Sequence, residues 1–203
     1  MKKTSVVLLL SALITIPVMA KESVTIKDKF DVVEDSQIEI HVPVGEFELT
    51  THDGHYIELS VKVEEQDNSW FSSADLDDVE LTKQVSHSRI FLEIDEEDTK
   101  QTWQISVPAD ANINLDMGVG EAKLKQLSRD VKAELGVGEL SIEVSSDNYK
   151  SINLESGVGE ASLRGFKQSE SSRALISEEA YWQGSGKYMI DAQVGVGEVS
   201  VSR

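Results

Sequence analysis

The chain has no cysteine, only 19 lysines and arginines against 37 aspartates and glutamates, and no apolar run long enough to anchor it in a membrane. Without cysteine there is no lipoprotein attachment, no disulfide and no thiolate metal site, so packing and hydrogen bonds must hold the fold. The shortage of basic residues leaves a formal net charge of −18. Nucleic acid is therefore not an expected partner, because phosphates require a basic footprint. An acidic surface of this kind either stays solvated or attracts cations and cationic peptides over the roughly 8–10 Å that salt permits.

The one apolar stretch runs from Val6 to about Ile16 and is interrupted by Ser11 and Pro17, short of the roughly 20 residues of a membrane span. Lys2 and Lys3 precede it, and Ala20 closes it with Val18 two positions earlier. These features predict a secretory signal peptide cleaved after Ala20. Cleavage leaves 183 residues, moves the formal charge from −18 to −20 and leaves no transmembrane segment. The expected location is the periplasm, the cell surface or the exterior, and the length suits one domain or two small ones.

What the sequence does contain is a repeated word. Gly-Val-Gly-Glu occurs four times, as Gly118-Val119-Gly120-Glu121, Gly136-Val137-Gly138-Glu139, Gly157-Val158-Gly159-Glu160 and Gly195-Val196-Gly197-Glu198. The steps are 18, 21 and 38 residues, and the long step suggests a degenerate copy at Ile176-Ser177-Glu178-Glu179. Pro43-Val44-Gly45-Glu46 is an earlier relative. Apolar or small residues precede each copy at alternate positions: Ile113, Leu115, Met117; Val131, Ala133, Leu135; Ile152, Leu154, Ser156; Ile190, Ala192, Val194. The alternation resumes beyond each glutamate, for example at Ala122 and Leu124.

Such period-two patterning predicts half-buried strands. Units of about 20 residues are too short to bury a core alone and must stack. The expectation is an all-β chain in which residues 108–203 form a β-solenoid of 18–21-residue strand-turn-strand units. Gly45, Gly118, Gly120, Gly136, Gly138, Gly157, Gly159, Gly195 and Gly197 are assigned to its turns, since glycine reaches backbone angles closed to other residues. Phosphate-cradling glycine loops open a helix, and no such context exists here.

Residues 21–107 read as an antiparallel β region feeding the stack, with strands near 37–42, 46–52, 55–63, 78–85, 89–94 and 102–107. Asp53-Gly54 reads as a hairpin turn. Asp95-Glu96-Glu97-Asp98 reads as a second, polar turn. Trp70-Phe71, in an exposed loop, is either a lid over the core or a sticky tip.

The order of Val42-Pro43-Val44-Gly45-Glu46, an exported β region, and Ile105-Ser106-Val107-Pro108 leading into glycine-spaced strands resembles the putative adhesin family, a bacterial domain of unknown function. The likeness covers nearly all of the chain after the leader and is most specific over 103–163. It departs from the family pattern in its regular Gly-Val-Gly-Glu and in the irregular stretch from Phe166 to Gly186. The resemblance implies an extracytoplasmic β-solenoid with an adhesin-like role and carries over no catalytic residues.

The glutamates are the sharpest chemical candidates. Stacked in register, Glu121, Glu139, Glu160, Glu179 and Glu198 would lie about 4.8 Å apart and repel by about 0.9 kcal/mol per pair in water. They form either a calcium ladder or a solvated edge relieved by Lys123, Lys125 and Lys187. His41, His52 and His55 offer a surface metal site or are merely turn residues. Trp103, Tyr149, Phe166, Tyr181, Trp182 and Tyr188 form a carbohydrate-stacking strip, or else Trp103 belongs to the core and Tyr181-Trp182 caps the irregular stretch. No nucleophile-base-acid arrangement stands out.

The leading expectation is a noncatalytic envelope or surface protein for adhesion or scaffolding of an unidentified ligand, without a cofactor. A carbohydrate-active β-helix enzyme and a calcium-stabilised module are the alternatives. The last strand, Glu198 to Ser202, is expected to be an open edge through which copies could pair.

Overall fold

Alternate apolar side chains require strands with one buried face, and that requirement organises the chain from Ser23 onward. The computed structural model describes residues 23–66, 76–96, 98–167 and 169–203. The leader of residues 1–20, the Trp70-Phe71 pair and Glu97 of the polar turn lie outside the described residues.

Among the described residues there is no α-helix, only one short 3-10 turn at Leu76–Asp78 and twelve strands. They are β1 (Ser23–Asp31), β2 (Gln37–His52), β3 (Tyr56–Glu65), β4 (Thr82–Ser86), β5 (Arg89–Glu93), β6 (Thr99–Pro108), β7 (Asn112–Leu127), β8 (Val131–Val144), β9 (Tyr149–Arg164), β10 (Glu170–Ala174), β11 (Ser177–Gln183) and β12 (Tyr188–Ser202). The fold is all-β. The strands form an open, mixed sheet in the order β1-β3-β6-β2-β7-β8-β12-β9-β11-β10, with β4 and β5 attached beside the first half of β2. The middle strands, from β2 through β7, β8 and β12 to β9, are parallel neighbours. β2 pairs with β7 from Gln37 to Leu49, so strands from either side of residue 108 share this sheet.

The glycine motifs lie in the middle of these long strands and do not separate one strand from the next. Only Ser128, Arg129 and Asp130 connect β7 to β8, yet Ile113 of β7 pairs in parallel with Val131 of β8. A straight strand of 16 residues would span about 50 Å, whereas the link reaches about 14 Å. β7 must therefore fold back on itself. It bends at Gly120 (φ 142°) and again at Gln126 (φ 63°). The Gln126 carbonyl accepts hydrogen bonds from Thr51 Oγ1 and Ser145 Oγ, both at 3.0 Å. Burial changes phase at the first bend, from Ile113, Leu115 and Met117 to Ala122 and Leu124, so both arms of the strand face one core.

That core is continuous and holds Ile38, Leu49, Val61, Leu92, Ile142 and Val201, all fully shielded. Trp103 is sealed within it, its Nε1 donating to Gln101 Oε1 at 2.8 Å, while Gln101 Nε2 donates to the Ile94 carbonyl at 2.8 Å. These bonds satisfy polar groups that would otherwise be costly to bury. Ser156, in a position otherwise taken by Met117, Leu135 or Val194, is buried because its hydroxyl donates to the Gly197 carbonyl at 2.8 Å.

Topology departs from expectation in several places. Asp53-Gly54 does not close a β-hairpin, because β6 lies between β2 and β3 and pairs with both. The turn is a crossing held by Gly54 N–H donating to His52 Nδ1 at 2.9 Å. β1, which pairs with β3 over nine residues, was not expected; its alternation of Val24, Ile26 and Phe30 is interrupted by Asp28. β12 is not an edge. It inserts between β8 and β9 and pairs with both along nearly its whole length, so the outer strands of the sheet path are β1 and β10.

A Cβ built on Gly138 (φ 141°) would lie well inside the van der Waals shell of the Gly120 carbonyl. Gly138→Ala is expected to lower unfolding stability by about 3 kcal/mol or more, read by urea denaturation. Val137→Ala, one residue away on the exposed side, should change it by about 0.5 kcal/mol or less.

Candidate functional site

The bend stacks the motif across neighbouring strands with no slip in register. Gly45, Gly120, Gly138, Gly197 and Gly159 are successive partners along β2, β7, β8, β12 and β9. The adjoining glutamates follow the same order: Glu46, Glu121, Glu139, Glu198 and Glu160. Glu179 is not in this column. It lies on antiparallel β11, level with Glu155, because Ile176-Ser177-Glu178-Glu179 belongs to the β10–β11 hairpin. Its place is taken by Glu46, from the early copy on β2.

Cations relieve part of the column. Lys100 Nζ pairs with Glu46 at 2.6 Å, Lys123 pairs with Glu121, and Arg173 approaches Glu160 at 3.8 Å. Lys125 instead pairs with Glu48 at 2.9 Å, and Lys187 lies over the Tyr188 ring at 5.1 Å. Hydrogen bonding and attraction from Lys100 hold the Glu46 carboxyl below its usual range, and Glu46 in turn raises Lys100. The hydrogen bond to Glu121 likewise raises Lys123. Glu139 and Glu198, adjacent on β8 and β12, have no cation within ion-pair distance among the described residues.

Among the described residues, no group of three or more histidines, aspartates and glutamates is placed to hold a metal ion. The rings of His41 and His52 are separately engaged, and His55 is tied into the fold through its backbone. His41 Nε2 meets Glu39 Oε1 at 3.2 Å, and its Nδ1 lies 3.7 Å from Glu93 Oε1. The His52 ring stacks on Tyr56 at 4.2 Å, and the His55 carbonyl accepts from Val32 N–H at 3.0 Å.

The aromatics divide between core and end cap. Trp103, Tyr149, Phe166 and Tyr188 are buried. Burial, followed by the charge of Asp130, pushes the Tyr149 hydroxyl far above its ordinary range. Trp182 packs on Phe166 at 5.3 Å, and the Arg203 guanidinium lies over both rings. Tyr181 alone of the six is exposed. An open groove of about 540 Å³ over β1, β3, β6 and β2 is lined mainly by charged and polar residues, among them the Lys29–Glu58 ion pair at 2.9 Å.

A further row emerges beside the glutamates. Val119, Val137, Val196 and Val158 are register partners, each 43–47% exposed, and half-buried Val44 precedes them on β2. The signal for it was the valine present in every copy of a motif whose geometry calls only for glycine.

Comparison with known proteins places residues 16–164 in a match to the N-terminal domain of toast_rack, DUF2154. The similar solved structures include two. One is a putative cell adhesion protein from Clostridium sporogenes, 15% identical, covering 88% of this chain and 99% of its own, with a TM-score of 0.49. The other is a putative adhesin from Bacteroides fragilis, 13% identical, covering 87% of this chain and 96% of its own, with a TM-score of 0.23. No curated protein matches the chain.

Two outcomes follow for the charged column. Melting in millimolar calcium and in chelator should give the same midpoint, since only a ligand bound to the folded state raises it. Lys100→Met should cost about 0.5 kcal/mol or less at pH 7, as both partners are substantially exposed. Because the Glu46 pKa is depressed on folding, its stabilisation is present above the unfolded carboxylate pKa and fades as pH falls through the folded value. The difference between wild type and Lys100→Met in urea denaturation should therefore shrink as pH falls below the unfolded glutamate pKa of about 4.3 and vanish once Glu46 is protonated in the folded state too.

Proposed function

We propose that this chain, which belongs to the family of toast_rack N-terminal domains, DUF2154, is a noncatalytic module of the bacterial envelope or cell surface that serves adhesion or scaffolding. The observation that carries this reading is the unslipped register of Gly-Val-Gly-Glu across the parallel strands. It fixes identical side chains in rows on a sheet, a regular surface suited to recognition by contact. Binding sites are most precise when carried by such regular elements.

Export is supported by Lys2, Lys3, the Val6–Ile16 run and Ala20. Among the described residues, no helix is long and apolar enough to cross a membrane. We read the bent parallel strands as a short solenoid-like coil, a reading supported by the three-residue link between β7 and β8. Its regular succession is interrupted where β12 enters between β8 and β9.

The test is binding of the fluorescently labelled, purified protein to washed bacterial envelope fractions. Saturable binding that heat-unfolded protein does not reproduce is expected. Absence of saturable binding would overturn the proposal. So would turnover of an acidic polysaccharide that disappears in a single-carboxylate variant.

A further inference from the structure

The exposed valine row continues beyond the parallel strands. Glu178 of β11 is level with Ser156 of β9, so two residues earlier Ile176 comes level with Val158. The Gly159 N–H donates to the Ile176 carbonyl at 3.1 Å. Ile176 is 64% exposed, and Leu175 beside it is completely exposed. Val44, Val119, Val137, Val196, Val158 and Ile176 thus form one apolar ridge, about 24 Å long at the usual strand spacing, ending at Leu175. A contiguous exposed apolar surface of this kind marks an interaction site more often than scattered single residues do.

Acidic rows flank the ridge on both sides. The glutamate column runs along one side. Along the other, Asp116, Glu134, Gln193, Glu155 and Glu179 are register partners, all exposed. Lys132 pairs with Glu134 at 2.7 Å, but Asp116, Glu155 and Glu179 have no cation within ion-pair distance among the described residues.

We propose that this ridge is a docking surface for a basic amphipathic helix of a protein partner, its apolar stripe on the valines and its lysines or arginines over the two acidic rows. The proposal rests on the binding-module reading and specifies its surface. Three arguments select this occupant. The backbone along the ridge is already paired on both sides in the parallel strands, so a partner docks through side chains and does not add a strand. A helix turn repeats every 5.4 Å, close to the rung spacing of about 4.8 Å, and about 16 residues at 1.5 Å each cover the ridge. The acidic rows repel both an anionic membrane surface and the same face of a second copy.

The probe is a synthetic 18-residue leucine-lysine helix with leucines on one face, compared with a scrambled peptide of the same composition by fluorescence anisotropy at about 150 mM salt. The amphipathic peptide should bind the purified protein at least about tenfold more tightly than the scrambled one, a margin of about 1.4 kcal/mol. Val137→Thr/Val196→Thr and, separately, Leu175→Ser/Ile176→Thr should each weaken binding at least fivefold while leaving the melting midpoint unchanged. No binding up to millimolar peptide, equal binding of the scrambled peptide, or wild-type affinity in both variants would overturn the proposal. So would concentration-dependent dimerisation that the ridge variants abolish. If both variants bind envelope fractions like wild type, the ridge fails and the module reading stands; if wild type ignores those fractions, the module reading fails whatever the peptide does.

Discussion

The close approach of backbones along the glycine column is the constraint on which the rest of the molecule depends. At Gly45, Gly120, Gly138, Gly197 and Gly159, the space that a Cβ would fill is occupied by a backbone carbonyl of the neighbouring strand. Only glycine leaves that space open and also reaches the positive φ of the bend. The bend folds each long strand so that both its arms contribute to one core. Without it, either Ile113, Leu115 and Met117 or Ala122 and Leu124 would lose burial, because a straight strand cannot present odd and even positions to the same face.

The same constraint fixes the surface. A one-residue slip would set a Cβ against a carbonyl, so the bend locks register in addition to side-chain packing. Valines and glutamates then fall into rows as a consequence of the glycines between them. The rows carry an electrostatic cost that is only partly relieved. Lys100 and Lys123 neutralise the β2 and β7 end of the glutamate column, while Glu139 and Glu198 sit side by side with no cation at ion-pair distance among the described residues. Exposure keeps that cost small in water, and it leaves an acidic face whose charge is available to a cationic partner.

Strand positions and the core were legible in the sequence because both depend on local alternation. Ile38, Ile40, Leu115, Ala133, Leu154 and Val199 are buried, each at a position where the alternation put an apolar residue on the inner face. Neighbour relations were less legible, because they depend on contacts between distant parts of the chain. Asp53-Gly54 carries a hairpin signal in its own dipeptide, but β6, some 50 residues later, takes the place beside β2. β12 resembles β8 and β9 equally well in its motif, and nothing local says that it enters between them. Glu179 was put in the column by spacing alone, which cannot distinguish a parallel repeat from the antiparallel arm of a hairpin. In the candidate site, attention to charge singled out the glutamates and passed over the valines, although both recur in every full copy of the motif.

Native-state amide hydrogen exchange, followed by NMR, tests the central claim most directly. If the glycine column locks the sheet, amides from Gly118 to Glu121 and from Gly136 to Glu139 that bond between strands will exchange only through global opening. Their free energies will then match those of the core amides at Ile142 and Val201. Exchange of the motif amides by local opening, several kcal/mol below the core value while Ile142 and Val201 stay protected, would contradict the account.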